Sequence, residues 1–184
     1  MDRSAMFRRW HRRRMTEDYY ATDPPVTEAL LSVEEFEGQI WEPCCGEGWM
    51  SDVLLAHGYD VLSTDLIDRG YGTGGVNFLE QYRRVPNIVT NPPYIDNRHR
   101  SIVVHALNLA ERKVAMLLTA SMLSDRYFIR LLAASPLKAI YFLDFRVYTF
   151  RDGDRDWPSL NWSMAWVVWD KQYTGLPFVK FIRG

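Results

Sequence analysis

The chain has 184 residues, of which 47% are hydrophobic and 24% charged, a composition typical of one soluble globular domain. No stretch comes near the ~18 uncharged apolar residues of a membrane span, and no apolar segment follows the arginine-rich start as it would in a secretory signal. The only cysteines, Cys44 and Cys45, are adjacent, which excludes a disulfide framework and a CxxC metal or redox motif. We therefore expect a cytoplasmic protein with no membrane partner.

The net charge of −1 is unevenly distributed along the chain. Residues 1–14 hold six arginines and one aspartate, a net +5, so the remainder carries −6. A basic arm on a mildly acidic body can bind phosphates, although the same composition also suits a solvated tail. We predict a basic arm over residues 1–15, open to disorder, followed by one folded domain over residues 16–184.

The hydrophobic pattern predicts strands that alternate with helices. In chain order it gives an extended, turn-rich segment at 16–25, a helix at 26–36, a strand at 39–42, a helix at 49–57, strands at 60–65, 76–79 and 87–90, a helix at 99–111, a strand at 113–122, a helix at 125–134, a strand at 138–148, a polar loop at 151–161 and a strand at 163–169. Seven strands interleaved with helices indicate an α/β fold, a sheet covered by helices on both faces.

The first strand runs into the turn EPCCGEG, which begins at Glu42. Gly46 and Gly48 let the backbone turn tightly and approach a ligand, and the amides at the next helix start favour a carboxylate. Glu42 at the strand end suits a cation. S-adenosylmethionine carries both charges, whereas the spacing matches neither G-x-G-x-x-G nor a P-loop. A purely structural turn between strand and helix is the alternative interpretation.

The second strand ends on an acid, Asp65, 23 residues after Glu42. An acid at that place can accept hydrogen bonds from both ribose hydroxyls of an adenosine-containing ligand. A solvated loop acid would look the same in isolation, but the glycine turn before it favours the ribose role.

The strand predicted at 87–90 runs directly into Asn91-Pro92-Pro93-Tyr94. The prolines fix the backbone and remove donors, so the Asn91 side-chain oxygen and the Pro92 carbonyl could both accept from one NH2 group. A conjugated amine is a poor nucleophile, and two acceptors favour a pyramidal nitrogen and stabilise the positive charge that develops on it. Tyr94 offers a flat face on which an extruded base could stack.

These features together resemble class I S-adenosylmethionine-dependent amino-methyltransferases, most closely the small adenine-N6 DNA methyltransferases of the NPPY type. EPCCGEG is similar to their first motif, Asp65 to their acidic second motif, and TNPPY to their catalytic motif. YYATDPPVTEALL resembles the segment that covers the methionine part of the cofactor, and Asn77-Phe78 falls where many members have Asp-Phe against the cofactor adenine. The likeness spans about residues 18–170. It implies a Rossmann-like fold with a mostly parallel seven-stranded sheet and an antiparallel final strand.

The resemblance assigns roles to individual residues. The implied cofactor-binding residues are Tyr20, Thr22, Glu42, Pro43, Cys44, Gly46, Gly48, Asp65, Leu66, Asn77, Phe78 and Asn91. The implied catalytic residues are Asn91, Pro92, Pro93 and Tyr94. Asn77 departs from the usual aspartate, but its amide oxygen can still accept from an adenine amine. The pair Cys44-Cys45 is unusually bulky, and no segment is large enough for a separate target-recognition domain, so tight sequence specificity is not expected.

The implied substrate contacts are Tyr94, Arg98, Trp157 and Trp162. The two tryptophans could instead be core residues, and Arg98 could face solvent. No metal is expected, because residues 152–156 imitate the start of a calcium loop but lack the glycine and glutamate that such a loop requires.

The resemblance predicts methyl transfer from S-adenosylmethionine to the exocyclic amino group of adenine in DNA, directly onto a flipped base, with S-adenosylhomocysteine as product. An RNA adenine or guanine amino-methyltransferase is the alternative. A protein glutamine methyltransferase is less favoured, since those enzymes carry an extra helical N-terminal domain. A non-enzymatic module that keeps the cofactor site is the remaining hypothesis. The sequence indicates no obligate protein partner.

Overall fold

The computed structural model describes residues 19–94, 98–145, 147, 149–151 and 163–183. Its helices are α1 (Pro24–Leu31), α2 (Trp49–Ala56), α3 (Arg98–Leu109), α4 (Ala120–Leu123) and α5 (Arg126–Ala133), with a 3-10 helix over Phe78–Glu80. Its strands are β1 (Tyr20–Thr22), β2 (Ile40–Glu42), β3 (Val61–Ser63), β4 (Val85–Thr90), β5 (Ala110–Thr119), β6 (Leu137–Leu143), β7 (Thr149–Arg151), β8 (Met164–Asp170) and β9 (Phe178–Ile182). The basic arm predicted over residues 1–15 lies outside the described residues.

Seven of the strands form one sheet in the order β3-β2-β4-β5-β8-β6-β9. The neighbours β3-β2, β2-β4, β4-β5 and β6-β9 are parallel, whereas β8 runs antiparallel to both β5 and β6. The predicted mostly parallel, seven-stranded Rossmann-like sheet is therefore confirmed. Strands β1 and β7 form a separate antiparallel pair.

Helices cover both faces of this sheet, as predicted. On one face α1 and α2 contribute Val26, Leu30 and Leu54 to a core cluster that includes Trp166 of β8. On the other face α3 and α5 pack Val103 and Phe128 against residues of β4, β5 and β8. Strand β8 is almost wholly buried, because it lies inside the sheet between two partner strands.

Local sequence explains where helices α1 and α5 begin. Pro24 and Pro25 occupy the first positions of α1, where a missing backbone N–H leaves no hydrogen bond unmade. The Asp125 carboxylate accepts from the backbone N–H groups of Tyr127 and Phe128 and so caps α5. Helix α1 ends at Leu31, five residues before the predicted end at 36, although Phe36 is still buried.

Further sequence predictions fail in their detail, and the strand predicted at 138–148 ends at Leu143. Residues 76–79 do not form a strand, because the Asn77 side chain accepts from the Leu79 N–H and caps a 3-10 helix instead. The strand predicted to reach residue 122 ends at Thr119 and passes into α4. The antiparallel strand β8 is followed by a further strand, β9, which pairs in parallel with β6 and which the sequence analysis missed.

A buried ion cluster ties the chain after α1 to the sheet. The Glu34 carboxylate is fully buried and accepts from Lys113 of β5, Lys138 of β6 and the Tyr141 hydroxyl, at 2.8, 2.8 and 2.7 Å. Burial raises the pKa of Glu34, but the hydrogen bonds from these three groups outweigh that effect and hold the pKa below its ordinary value. The ionised carboxylate therefore stabilises the fold above the ordinary glutamate pKa, and this contribution is lost as the pH falls.

We expect Glu34→Gln to lower the free energy of unfolding by about 2 kcal/mol at neutral pH, because it leaves two lysines without their buried counter-charge. Urea unfolding followed by circular dichroism measures the change. Glu35→Gln is the control, since the Glu35 side chain is exposed. Equal stability of the two variants would show that the cluster contributes nothing net.

Candidate active site

A cleft of about 380 Å³ opens at the carboxyl ends of β2, β3 and β4 and is bordered by β1. It brings together most residues that the sequence analysis assigned to the cofactor, namely Tyr20, Thr22, Glu42, Pro43, Cys44, Asp65, Leu66, Asn77, Phe78 and Asn91. The predicted catalytic segment Asn91, Pro92, Pro93 and Tyr94 lines the same cleft, as does Arg98 at the start of α3. Residues far apart in sequence thus meet where parallel strands end, which is the usual ligand position in such sheets.

The glycine turn lies between β2 and α2, and its first residues line the cleft whereas Gly46 and Gly48 do not. Gly46 and Gly48 have φ of +56° and +87°, so their backbone occupies the left-handed region. A Cβ on Gly46 would lie 2.0 Å from the Tyr19 ring, and one on Gly48 would lie 2.3 Å from the Tyr71 ring. Both positions therefore exclude a side chain for steric as well as conformational reasons.

The Asp65 carboxylate joins this turn to the loop after β3. One oxygen accepts from the Gly46 N–H and the other from the Ile67 N–H, both at 2.8 Å. The carboxylate is therefore held in one orientation, and each oxygen keeps a second lone pair for a ligand hydroxyl. This geometry suits the ribose role inferred from the sequence.

Glu42 is buried at the end of β2 and accepts a hydrogen bond from the Ser51 hydroxyl of α2. Burial raises its pKa to about 8, and the nearby charge of Asp65 adds to the shift. Two carboxylates in one cleft favour a cationic ligand, because a positive charge would relieve both the burial and the repulsion. The donor and acceptor set of this cleft therefore fits an amino-acid cation joined to a ribose.

The setting of the two cysteines disfavours their thiolate forms. Burial raises the pKa of the Cys44 thiol well above its ordinary value and that of Cys45 to about 12. Both thiols are consequently protonated at neutral pH, whereas a reactive cysteine acts as a thiolate.

The side-chain amide of Asn91 is oriented by its neighbours. Its Nδ2 donates to Thr22 Oγ1 at 3.1 Å and to the Tyr20 carbonyl at 3.4 Å. Because a carbonyl can only accept, the NH2 group must point toward β1 and Oδ1 must point away from it. The Tyr94 hydroxyl lies 2.5 Å from Asn91 Oδ1 and 2.9 Å from the Leu117 carbonyl, so Tyr94 is turned toward the sheet.

Asn77 lies beside Asp65, because the Val76 N–H donates to the Asp65 carbonyl at 2.9 Å. The large apolar side chains of Leu66, Ile67 and Leu79 line this end of the cleft and are 48%, 37% and 38% exposed. Apolar walls next to Asp65, the acid expected to contact a ribose, suit a flat heterocyclic base.

Some lining residues were missed by the sequence analysis. The Tyr19 hydroxyl accepts from the Glu47 N–H at 3.0 Å, and the Arg69 guanidinium lies 4.5 Å from the centre of the Tyr19 ring. The aromatic pair Tyr19-Tyr20 was a usable signal, whereas nothing local marked Arg69. Trp49 and Met50 line the cleft from the first turn of α2, where they resemble ordinary core residues.

The predicted substrate contacts Trp157 and Trp162 lie outside the described residues. Arg98 is exposed at the rim of the cleft. Among residues 19–94, 98–145 and 163–183, no group of three or more His, Cys, Asp or Glu side chains could hold a metal ion. No helix in the part of the chain that the structure describes is long and apolar enough to cross a membrane.

The chain matches no family model and no curated protein. Solved structures do match its fold. A provisionally named RNA methyltransferase from Pyrococcus horikoshii is 14% identical with a TM-score of 0.62, over 84% of this chain and 87% of the other. A modification subunit from Vibrio vulnificus, provisionally ascribed to a type I restriction enzyme, is 13% identical with a TM-score of 0.61, over 96% of this chain and 50% of the subunit.

A third structure, magnesium protoporphyrin IX methyltransferase from Synechocystis with bound S-adenosylmethionine, is 13% identical with a TM-score of 0.53, over 78% of this chain and 74% of the other. The chain thus has the Rossmann-like fold of class I S-adenosylmethionine-dependent methyltransferases.

We expect the ligand-free protein to become less stable as the pH rises from about 5 to about 8. In this window folded Glu42, with its pKa raised to about 8, holds a proton that the unfolded chain has lost. Glu42→Gln stays neutral at every pH and should remove this contribution. Melting temperatures across the window measure it. Parallel pH profiles for the two proteins would mean that Glu42 ionises freely in the fold.

Proposed function

We propose that this chain is an S-adenosylmethionine-dependent methyltransferase that modifies the exocyclic amino group of adenine in DNA. The observation that carries the proposal is the oriented amide of Asn91 beside a cleft that holds two carboxylates. The fixed NH2 group leaves Oδ1 as an acceptor in the same cleft as Glu42 and Asp65.

The residues of the cleft fit the parts of the cofactor in turn. Glu42 would bind the ammonium of the methionine part, Asp65 would accept from the ribose hydroxyls, and Asn77 would accept from the adenine amine. The last assignment follows because the base is bonded to the ribose and Asn77 lies beside Asp65. When bound, the cofactor supplies an electrophilic methyl group on its sulfonium.

The catalytic segment would act on the target amine through acceptors alone. Asn91 Oδ1 and the Pro92 carbonyl accept from the two N–H bonds, which keeps the nitrogen lone pair out of the ring system. As the nitrogen–carbon bond forms and the bond between the methyl group and the sulfonium breaks, positive charge would develop on nitrogen, and the same acceptors would stabilise it without reorganising. The methylated nitrogen would then lose one proton to solvent. The protonated thiols of Cys44 and Cys45 do not compete for the methyl group.

Adenine in DNA is favoured as the substrate for two reasons. The segment TNPPY resembles the motif of adenine-N6 DNA methyltransferases, and six arginines among residues 1–14 offer charge for a phosphate backbone. The fold is also shared with a modification subunit and an RNA methyltransferase, both provisionally named.

The test is methyl transfer from radiolabelled S-adenosylmethionine to duplex DNA, RNA and protein, followed by nucleoside analysis. We expect N6-methyladenine in DNA. Label confined to RNA would overturn the choice of DNA, and label confined to protein would overturn both nucleic-acid substrates.

We expect Asn91→Ala to lower kcat by at least about 100-fold, because it removes an acceptor that strengthens in the transition state. Cofactor affinity, measured by calorimetry, should change by less than about threefold. That change is smaller than the one expected from loss of a buried hydrogen bond to the cofactor, which can cost about one to three kcal/mol. Asn108→Ala, at an exposed position of α3, is the control. A parallel loss of turnover and cofactor binding would instead assign Asn91 a structural role.

The Tyr94 hydroxyl contacts the oxygen that the target amine would need. Tyr94→Phe keeps the aromatic face and frees Asn91 Oδ1, so kcat/KM for DNA should stay within about threefold of the parent. Tyr94→Ala removes the stacking face and should cost roughly 10- to 100-fold, in line with one to three kcal/mol per stacked base. If phenylalanine is as damaging as alanine, the hydroxyl rather than the ring carries the function.

A further inference from the structure

The side-chain amide of Asn77, which lines the cleft, has two hydrogen-bond partners, the Glu80 carboxylate and the Leu79 backbone. Asn77 Nδ2 donates to Glu80 Oε1 at 2.7 Å, and Asn77 Oδ1 accepts from the Leu79 N–H at 3.2 Å. Both contacts lie within the short 3-10 helix that Asn77 caps.

The two ends of an amide have nearly the same shape but opposite hydrogen-bonding character. A carboxylate can only accept, and a backbone N–H can only donate. One orientation of Asn77 satisfies Glu80 and Leu79 together. The reverse orientation would set N–H against N–H and oxygen against carboxylate, so the amide is held with its oxygen as the acceptor.

The surroundings of Asn77 make this choice matter. Phe78 is buried against Trp41 and His105, with ring centroids 5.1 and 5.0 Å apart, so the backbone at this point is anchored. Asn77 itself lines the cleft, next to the exposed apolar side chains of Leu66 and Leu79. A base bound between these walls would lie near the Asn77 amide. The orientation of that amide decides whether the base contacts a hydrogen-bond acceptor, Oδ1, or a donor, Nδ2.

We propose that Glu80 is a positioning residue for recognition of the cofactor base, a proposal that rests on the cofactor site assigned above. By holding the Asn77 NH2 group, it keeps Oδ1 ready to accept from the 6-amino group of adenine. An aspartate at position 77 would accept with either oxygen and would need no such partner. The exposed Glu80 thus makes an asparagine select adenine over a base that carries an oxygen at position 6.

The test compares two ligands, S-adenosylhomocysteine and its 6-oxo counterpart S-inosylhomocysteine, on the full chain by calorimetry. The parent protein should prefer the adenine ligand. Glu80→Ala should weaken S-adenosylhomocysteine about fivefold, the effect of one exposed hydrogen bond, while binding of S-inosylhomocysteine stays constant or improves. The ratio of the affinity for S-adenosylhomocysteine to the affinity for S-inosylhomocysteine should therefore fall.

Two further variants separate positioning from structure. Asn77→Asp in the Glu80→Ala background should restore the preference for adenine, since both carboxylate oxygens accept. Glu111→Ala, which removes an exposed acid on β5, should leave the ratio unchanged. Matching melting temperatures would show that all variants are folded.

The outcomes are distinct. Equal weakening of both ligands by Glu80→Ala, or no change in either, would overturn the positioning role while leaving the cofactor assignment intact. Failure of the parent protein to bind S-adenosylhomocysteine would instead overturn the cofactor assignment and the positioning role together.

Discussion

The parallel pairing of β2 with its two neighbours is the constraint on which the cleft depends. Glu42 is in register with Ser63 of β3, and Trp41 is in register with Ile88 of β4. The segments after β2, β3 and β4 therefore leave the sheet at the same edge. Polar groups in these segments that make no hydrogen bonds within the sheet can contact a ligand. A shift of one residue in the pairing of β2 with β3 would turn Glu42 to the opposite face relative to β3 and change its position beside Asp65.

Three acceptors of the site were predictable because each lies at or just beyond the end of a strand. Glu42 is the last residue of β2, Asp65 comes two residues after β3, and Asn91 comes directly after β4 and before two prolines. Strand β9 was not predictable in the same way. Its residues Phe178–Phe181 are exposed, and what defines the strand is its pairing with β6, which lies far away in sequence.

The orientation of the two amides illustrates a finer limit of the sequence. Asn91 is oriented by the Tyr20 carbonyl, 71 positions earlier, and no pattern along the chain announces that contact. Asn77 and Glu80 are three positions apart, a spacing typical of a helix cap. The apolar residues around Asn77 suggested a strand, whereas the cap decided the local structure. The capping pattern therefore indicates both the 3-10 helix and the partner of Asn77.

The raised pKa of buried Glu42 also couples the proposed binding of a cofactor ammonium to proton release. A cation beside this carboxylate favours its ionised form, so binding of such a cation would release the proton that burial retains. Affinity for such a ligand should therefore climb with pH until Glu42 is ionised in the free protein, near its raised pKa of about 8. Calorimetric heats would then depend on the ionisation enthalpy of the buffer. The ligand-free protein should accordingly be most stable at the acidic end of the neutral pH range, whereas affinity for a cation should be highest at the basic end.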